Sequence, residues 1–524
     1  MSNPSTQQDQ SESTPLSLID GVKAFIHPRV ITMLFFGFSA GLPILLIFSS
    51  LSLWLREAGV ERSTVTMFSW AALGYSFKFV WAPLVDSLSI PVLTRLLGRR
   101  RSWLLFSQVM VAIAIVSMGQ VDPVKDGALV FLAAFAVLLG FSSATQDIVI
   151  DAYRIESAES RLQALMSSAY VGGYRIGMLL AGAGVLVLAG FFGSTMEEYQ
   201  HLAWQKSYWI MALFMLVGVA TTLIINEPAS KRAEQTQITE TSHQIRVLLA
   251  FVICVICFIF GYKGVGIGLD SVVPDRSTLM SLVVEIVRLT LTISIVWLVS
   301  KLVINTGLVQ RKVVNHLYFD PVRDFFARYG MKSAVLLLVF IGLYRISDIV
   351  LGVIANVFYS DLGFTKGEIA TVVKSFGLAM TLTGGALGGL LCVSYGVLRV
   401  LMIGAVLSAL TNLMFVLLNS QGSDIMLLYI VIMLDNLSAG IATAAFIAFL
   451  SALTNIQFTA MQYAIFSSFM TLFPKTIGGY SGAMVDGMGY SAFFSLTALM
   501  GVPVVILIFF LFKYVKLDDS TNSG

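Results

Sequence analysis

Charge is scarce in this chain: Asp, Glu, Lys and Arg make up 12% of its 524 residues, against about a quarter in ordinary soluble domains. Hydrophobic residues make up 57%, which excludes a soluble globular protein. The net charge of +3 is too small to imply a nucleic-acid partner. Cysteine is almost missing, with three in all, so no disulfide framework exists. Cys254 and Cys257 have the C-x-x-C spacing, yet they lie in an apolar run without the strand-turn-helix setting of a redox site, and read as small packing residues. Histidine is equally rare. His27, His201, His243 and His316 all fall in loops or linkers, so a proton carried inside the membrane would have to ride on a carboxyl group. No phosphate-binding glycine loop, metal-ligand cluster or nucleophile elbow occurs, which argues against an ATP-driven pump or an intramembrane hydrolase and calls for no cofactor or metal. The first twenty residues lack a basic region and an apolar core, so no cleavable signal peptide is expected.

What the chain has is apolar runs. A helix needs about 20 such residues to cross the hydrocarbon layer, and about fourteen runs qualify. The predicted architecture is an all-α polytopic membrane protein of two six-helix bundles with two extra spans between them. In order these are a tail, 1–29; an N-terminal bundle, 30–225; a polar linker, 226–246; the two extra helices, 247–304; a basic amphipathic segment, 305–333; a C-terminal bundle, 334–513; and a second tail, 514–524. Cytoplasmic loops retain Lys and Arg. With both termini, the linker and the basic segment inside, the cationic residues favour that side by about three to one. Gaining or losing one span in the middle would destroy that bias.

Against this background the ionisable residues within spans stand out, because each costs roughly 2.5–3.5 kcal/mol to insert. They are densest between Gly140 and Gly182. Asp147, Asp151 and Arg154 are spaced i, i+4, i+7 along one helical face, with Asp147 deepest. Asp147 with Gln146 reads as pathway lining; Asp151 and Arg154 read as a gate, or as an interfacial cluster that only orients the helix end. Arg175 lies mid-span among Gly173, Gly177 and Ala181, small residues that let one face pack closely. Its planar fork suits a carboxylate; the plainer alternative is an Arg locked to a buried Asp. An offset of 300 lays Ser167-Ser168 over Ser467-Ser468 and Arg175 over Lys475, so the halves carry one cation each at matching places. Lys475 follows Pro474, a helix-kinking residue. Arg345 and Asp348 are spaced to neutralise each other. Lys78, Lys374 and Asp435 complete the set. Glu285 and Arg288, i and i+3 on an extra span, read as a mutually neutralising pair off the pathway.

The segment Ser142-Ser-Ala-Thr-Gln-Asp-Ile-Val-Ile-Asp-Ala-Tyr153, the stretch Gly173-Tyr-Arg-Ile-Gly-Met-Leu179 and Gly98-Arg-Arg-Arg101 before Trp103 resemble the AmpG-type anhydromuropeptide permeases of the major facilitator superfamily. Gly37-Phe-Ser-Ala-Gly-Leu-Pro43, the stretch Lys78 to Asp86, and Tyr344-Arg-Ile-Ser-Asp348 extend the resemblance over nearly all of both halves. It implies a bacterial inner-membrane importer of N-acetylglucosaminyl-anhydro-N-acetylmuramyl peptides, driven by the proton gradient, that serves cell-wall recycling and affects β-lactamase induction. The resemblance carries the pathway role onto Gln146, Asp147 and Arg175; with the residues read above, Arg175, Lys475, Gln146, Asp147, Lys78 and Lys374 are expected to meet the substrate, Asp147, Asp348 and Asp435 are the proton-coupling candidates, and Asp86, Arg99, Arg100, Asp151, Arg154 and Arg345 are expected to form the gate. The protein is expected to work as a monomer in the lipid bilayer and not as an enzyme. One departure is the stretch inserted between Asp86 and Gly98, which suggests a differently built gate. Transport of another bulky anion, such as a coenzyme A thioester, and a membrane sensor that transports nothing are the rival readings.

Overall fold

The structure is a computed structural model that describes residues 23–514, apart from 62–63, 66–67, 69–74, 76, 159, 196–197, 229–240 and 274–277. In hydrocarbon every backbone donor must be satisfied within its own segment. Accordingly the described residues form helices and no strand. The long helices are α1 (Pro28–Ile47), α2 (Arg99–Gln120), α3 (Ala128–Ser157), α4 (Ser160–Leu179), α5 (His201–Phe214), α6 (Thr241–Val272), α7 (Thr278–Asn305), α8 (Asp320–Leu343), α9 (Ile346–Asp361), α10 (Gly377–Tyr395), α11 (Val397–Gln421), α12 (Ile425–Leu453), α13 (Thr459–Gly478) and α14 (Tyr490–Tyr514).

Twelve helices among the described residues are long and apolar enough to cross a bilayer, and the expected count of about fourteen is not established. Two expected spans are outside the twelve. The run at 64–85 falls partly on undescribed residues. The run at 461–485 is present as α13, but it stops at Gly478 and carries Gln462, Ser467, Ser468, Thr471 and Lys475, too polar a set for a plain span. Much of the expected linker 226–246 lies outside the described residues, and helix α6 begins within it at Thr241. On α7, Arg288 lies over the Tyr262 ring, 3.7 Å from its centroid, and donates to the Tyr262 carbonyl at 2.9 Å. The Glu285 side chain lies outside the described set.

Close packing of glycines fixes how α1 and α4 face each other. A Cβ on Gly37 would come 2.0 Å from the Tyr170 carbonyl oxygen, and one on Gly177 would come 2.2 Å from that of Phe38. Only hydrogen fits there, so the backbones touch. In the other half, Gly384 and Gly440 do the same for α10 and α12, with a Cβ meeting the Leu437 and Thr381 carbonyl oxygens at 2.2 and 2.4 Å.

Four apolar cores show how the halves meet. One, around Trp54, Trp204 and Tyr208, draws only on residues from Leu42 to Met215. Another, around Phe358, Phe415 and Phe494, draws only on residues from Ile346 to Phe494. The remaining two are shared: Ile155 and Ala164 pack among Phe446, Phe449 and Tyr463, while Ala460, Met461 and Ala464 pack among Trp81, Val149 and Leu165. The two halves are therefore joined at the end that carries Arg99 to Arg101, while the cores around Trp54 and around Phe358 are each built within one half.

Candidate functional site

At the joined end the polar contacts form a continuous chain from one half to the other. The backbone turns at Gly98, whose φ of +86° favours glycine, and α2 then starts with three arginines. The Glu227 carboxylate accepts from the amides of Arg100 and Arg101 at 2.8 and 3.1 Å, stabilising that helix start. The inserted stretch folds as a short helix, Leu93–Leu97, and returns the chain to the helix Ala82–Ser87, so Arg99 donates to the Asp86 carbonyl at 2.8 Å. Arg100 is fully buried; it pairs with Asp86 at 2.8 Å and with Glu156 at 2.9 and 2.5 Å. Both carboxylates also bind the C-terminal half. Glu156 accepts from the Thr459 hydroxyl at 2.8 Å, and Asp86 accepts from the amides of Ala460 and Met461 at 3.1 and 3.2 Å, at the open start of α13.

Arg154 makes a second crossing. It donates to Ser451 on α12 at 2.6 Å and to Ser167 at 3.0 Å, pairs with Asp151 at 3.2 Å, and lies over the Tyr463 ring. Lys78 reaches Asp151 from the other side at 3.7 Å. A third crossing is neutral: Ser168 donates to the Gly385 carbonyl at 2.6 Å.

Asp147 lies one turn deeper than Asp151. It accepts a long hydrogen bond of 3.4 Å from Tyr170, with Lys78 and Asp151 as its charged neighbours. Gln146 does not join it. A helix turns by about 100° per residue, so neighbours in sequence face different ways; Gln146 is fully buried and donates to Ser39 on α1 at 3.2 Å, inside the N-terminal bundle. In the C-terminal half, Arg345 pairs with Asp348 at 3.1 Å and bonds the Thr443 hydroxyl, while Ser408 bonds Asp348 and Thr411 reaches Asp435 at 3.4 Å. Arg345 is thus placed with this inner cluster and away from the joined end. Lys374 donates to Asn356 at 3.0 Å, on an exposed surface between its π-helical segment Ile369–Phe376 and α9.

Arg175 and Lys475 are both exposed, and neither has a hydrogen-bond or ion-pair partner among the described residues. Their direction follows from heptad spacing. Arg175 lies two turns beyond Ser168, which touches α10 of the other half; Lys475 lies two turns beyond Ser468 and four beyond Met461, which packs on the N-terminal half. Each cation therefore continues, past the joined end, the stripe by which its helix faces the opposite half.

A putative transporter AmpG 4 of Rickettsia felis is 31% identical over 94% of the chain and 99% of its own length. The chain belongs to the AmpG transporter family. Another relative, the anhydromuropeptide permease of Escherichia coli K12, is 28% identical over 95% of this chain and 83% of that one. A family model described as acetyl-coenzyme A transporter 1 matches residues 30–243. Among solved structures, the major facilitator proton:xylose symporter XylE covers 94% of this chain and 96% of its own with a TM-score of 0.60 at 14% identity; the fucose:proton symporter FucP gives 0.57 at 11%, covering 93% and 99%. The fold is that of the major facilitator superfamily.

This AmpG-family chain is a multi-pass membrane protein and a secondary transporter of a small molecule, not an enzyme. Among described residues no cluster suited to a metal exists. Several residues of the crossings were not singled out in the sequence: Glu156, Glu227, Ser451, Thr459 and Tyr463. Glu156, two residues after Arg154, carried a signal, as a charge at the end of a charged helix face. Ser451 and Thr459 carried none, since hydroxyls on an apolar helix cost little to insert and are unremarkable in a span.

Proposed function

We propose that this AmpG-family transporter imports peptidoglycan turnover products, N-acetylglucosaminyl-anhydro-N-acetylmuramyl peptides, across the bacterial inner membrane by alternating access, as a monomer with both termini in the cytoplasm and with protons as the driving ion. The named activity of the Escherichia coli relative supports the cargo. The observation that carries the reading is the exposure of Arg175 and Lys475, one per half and with no hydrogen-bond or ion-pair partner among the described residues. Unpaired cations at membrane depth are expensive, and a sensor or scaffold has no use for two of them. A ligand with several carboxylates repays that cost.

With the basic end cytoplasmic, the joined end is the inner gate in its closed state, the state in which an importer receives cargo from outside. Asp147, Asp348 and Asp435 are the proton carriers of this scheme, each a carboxyl beside a cation that competes for it. Arg175 and Lys475 receive cargo anions, with Lys374 nearer the outer mouth.

Uptake of labelled anhydromuropeptide into vesicles from a strain lacking its own permease, with and without a proton gradient, tests the proposal. Uptake that needs the gradient and vanishes in Arg175→Ala at normal membrane abundance is the expected result. Unchanged uptake in the variant removes Arg175 from the site. The match of residues 30–243 to an acetyl-coenzyme A transporter model favours a second reading, a coenzyme A thioester as cargo. Competition of the uptake by acetyl-coenzyme A separates the two.

A further inference from the structure

Only 6% of the most apolar stretch of each extra helix, α6 and α7, is buried, so lipid borders both along their length. At the start of α6, Gln244 donates to Ser89 at 2.8 Å, and Val247 packs with Val309 and Leu317 into the core that holds Trp81 and Leu88. These contacts put the start of α6 at the joined end of the transporter. After α7 the chain reverses through Gly307, whose φ of +79° favours glycine, and returns beside α6. Between the two runs lies a cavity of about 60 Å³, lined by His243 and Arg246, about one turn apart on α6, and by Gly307 to Gln310 and Val313. No described carboxylate lines it. Arg246 is exposed and has no hydrogen-bond or ion-pair partner among the described residues, and the same holds for Arg311 and Lys312, which follow Gln310 directly. Lys301, a turn and a half before Gly307, lies 3.5 Å from the centroid of the Trp297 ring, an arrangement suited to the membrane interface. Apolar side chains flank these cations, with Ile245, Leu248 and Leu249 of α6 and Leu298 and Leu302 of α7 all exposed.

We propose that this cavity is a headgroup site for an anionic phospholipid of the leaflet at the joined end, with Arg246 and His243 on the phosphate and the acyl chains lying along α6 and α7. A guanidinium presents its planar fork to two phosphate oxygens at once, and the cavity has room for one small anion. A free phosphate would meet the cations alone. A lipid adds its chains, which lie against the exposed leucines while the headgroup stays at the depth of the helix ends, and that favours the lipid. The site also has a mechanical consequence, because the chain beyond Val313 touches both halves. Leu317 packs beside Trp81, and Tyr318 donates to the Val80 carbonyl at 3.0 Å, both in the N-terminal half. His316 lies against the Phe458 ring at 5.8 Å between centroids, and the Pro321 carbonyl accepts from Gln462 of α13 at 2.8 Å, both in the C-terminal half. A headgroup that fixes Gly307 to Val313 therefore braces the segment that spans the joined end. Neither the site nor the brace depends on what the cargo is.

Native mass spectrometry of the full-length protein in detergent, titrated with phosphatidylglycerol or phosphatidylcholine, tests the site. Phosphatidylglycerol is expected to bind about tenfold more tightly, and Arg246→Gln to abolish the difference. Arg95→Gln, which removes another exposed cation from the same end but outside the cavity, leaves the difference intact. Both variants keep the wild-type melting temperature in detergent, since neither side chain has a partner among the described residues to lose. Absence of a preference in the wild type, or equal loss in the two variants, shows diffuse surface charge and overturns the site. Glycerol phosphate that displaces the lipid at equal concentration shows a ligand without chains and overturns the lipid. The brace is read in nanodiscs by thiol labelling of an introduced cysteine near Thr459: labelling is lower in phosphatidylglycerol than in phosphatidylcholine, and Arg246→Gln removes the difference. Equal labelling of the wild type in the two lipids overturns the brace.

Discussion

The carboxylate of Asp86 accepts a hydrogen bond from the amide of Met461, 375 residues away, at 3.2 Å. Through it the first half of the transporter caps a helix of the second, where backbone donors have no partner within the helix. The same carboxylate holds Arg100, which holds Glu156, which holds Thr459. Four groups from two halves thereby close one end of the molecule, and opening that end must break the Thr459 and Ala460–Met461 bonds.

Asp86→Ala therefore weakens the closed end in two ways, by uncapping α13 and by leaving Arg100 with one counter-charge. The expected cost to the closed state is about 3 kcal/mol, typical of breaking a buried pair from one side. Thiol labelling at an introduced cysteine near Thr459, in a background without Cys254, Cys257 and Cys392, reads the result: labelling rises in Asp86→Ala and stays low in the parent.

Ser451→Ala removes one hydrogen bond from Arg154 and keeps the Ser167 and Asp151 contacts. A hydrogen bond to a charged group contributes about 1.5–3 kcal/mol. The same labelling assay is expected to show a smaller opening than Asp86→Ala. Combined with Thr459→Ala, the effect adds, because the two crossings share no side chain.

Gly177→Val places a side chain against the Phe38 carbonyl, which cannot move without displacing α1. Membrane abundance of the variant collapses. Gly190→Ala is the control, since nothing lies within 4 Å of a Cβ there, and its abundance stays at the wild-type level.

Gln146→Leu cuts the Ser39 bond inside the N-terminal bundle. Its expected effect is on stability, by about 1 kcal/mol, measured as a lower melting temperature in detergent with an unchanged KM for uptake. A raised KM at unchanged stability would instead place Gln146 on the pathway.

The helical class, the multi-pass membrane character and the transporter family were legible in the amino-acid order. Each depends on local quantities: run length against bilayer thickness, charge against insertion cost, and spacing along one helix. The face on which a residue lies relative to its own neighbours follows from the helical repeat, which is how Asp147, Asp151 and Arg154 were placed in one line. The partners of that line were not legible. Ser451 and Thr459 are ordinary hydroxyls until folding sets them against Arg154 and Glu156, and Gln146 is indistinguishable from its neighbour Asp147 as a pathway candidate until α1 packs behind it. Arg345 could be paired with Asp348 from spacing alone, but its bond to the Thr443 hydroxyl depends on a helix 98 residues further along the chain. Sequence determined which groups enter the membrane; the packing of glycine-lined helices, a property of many distant contacts at once, decided which of those groups meet.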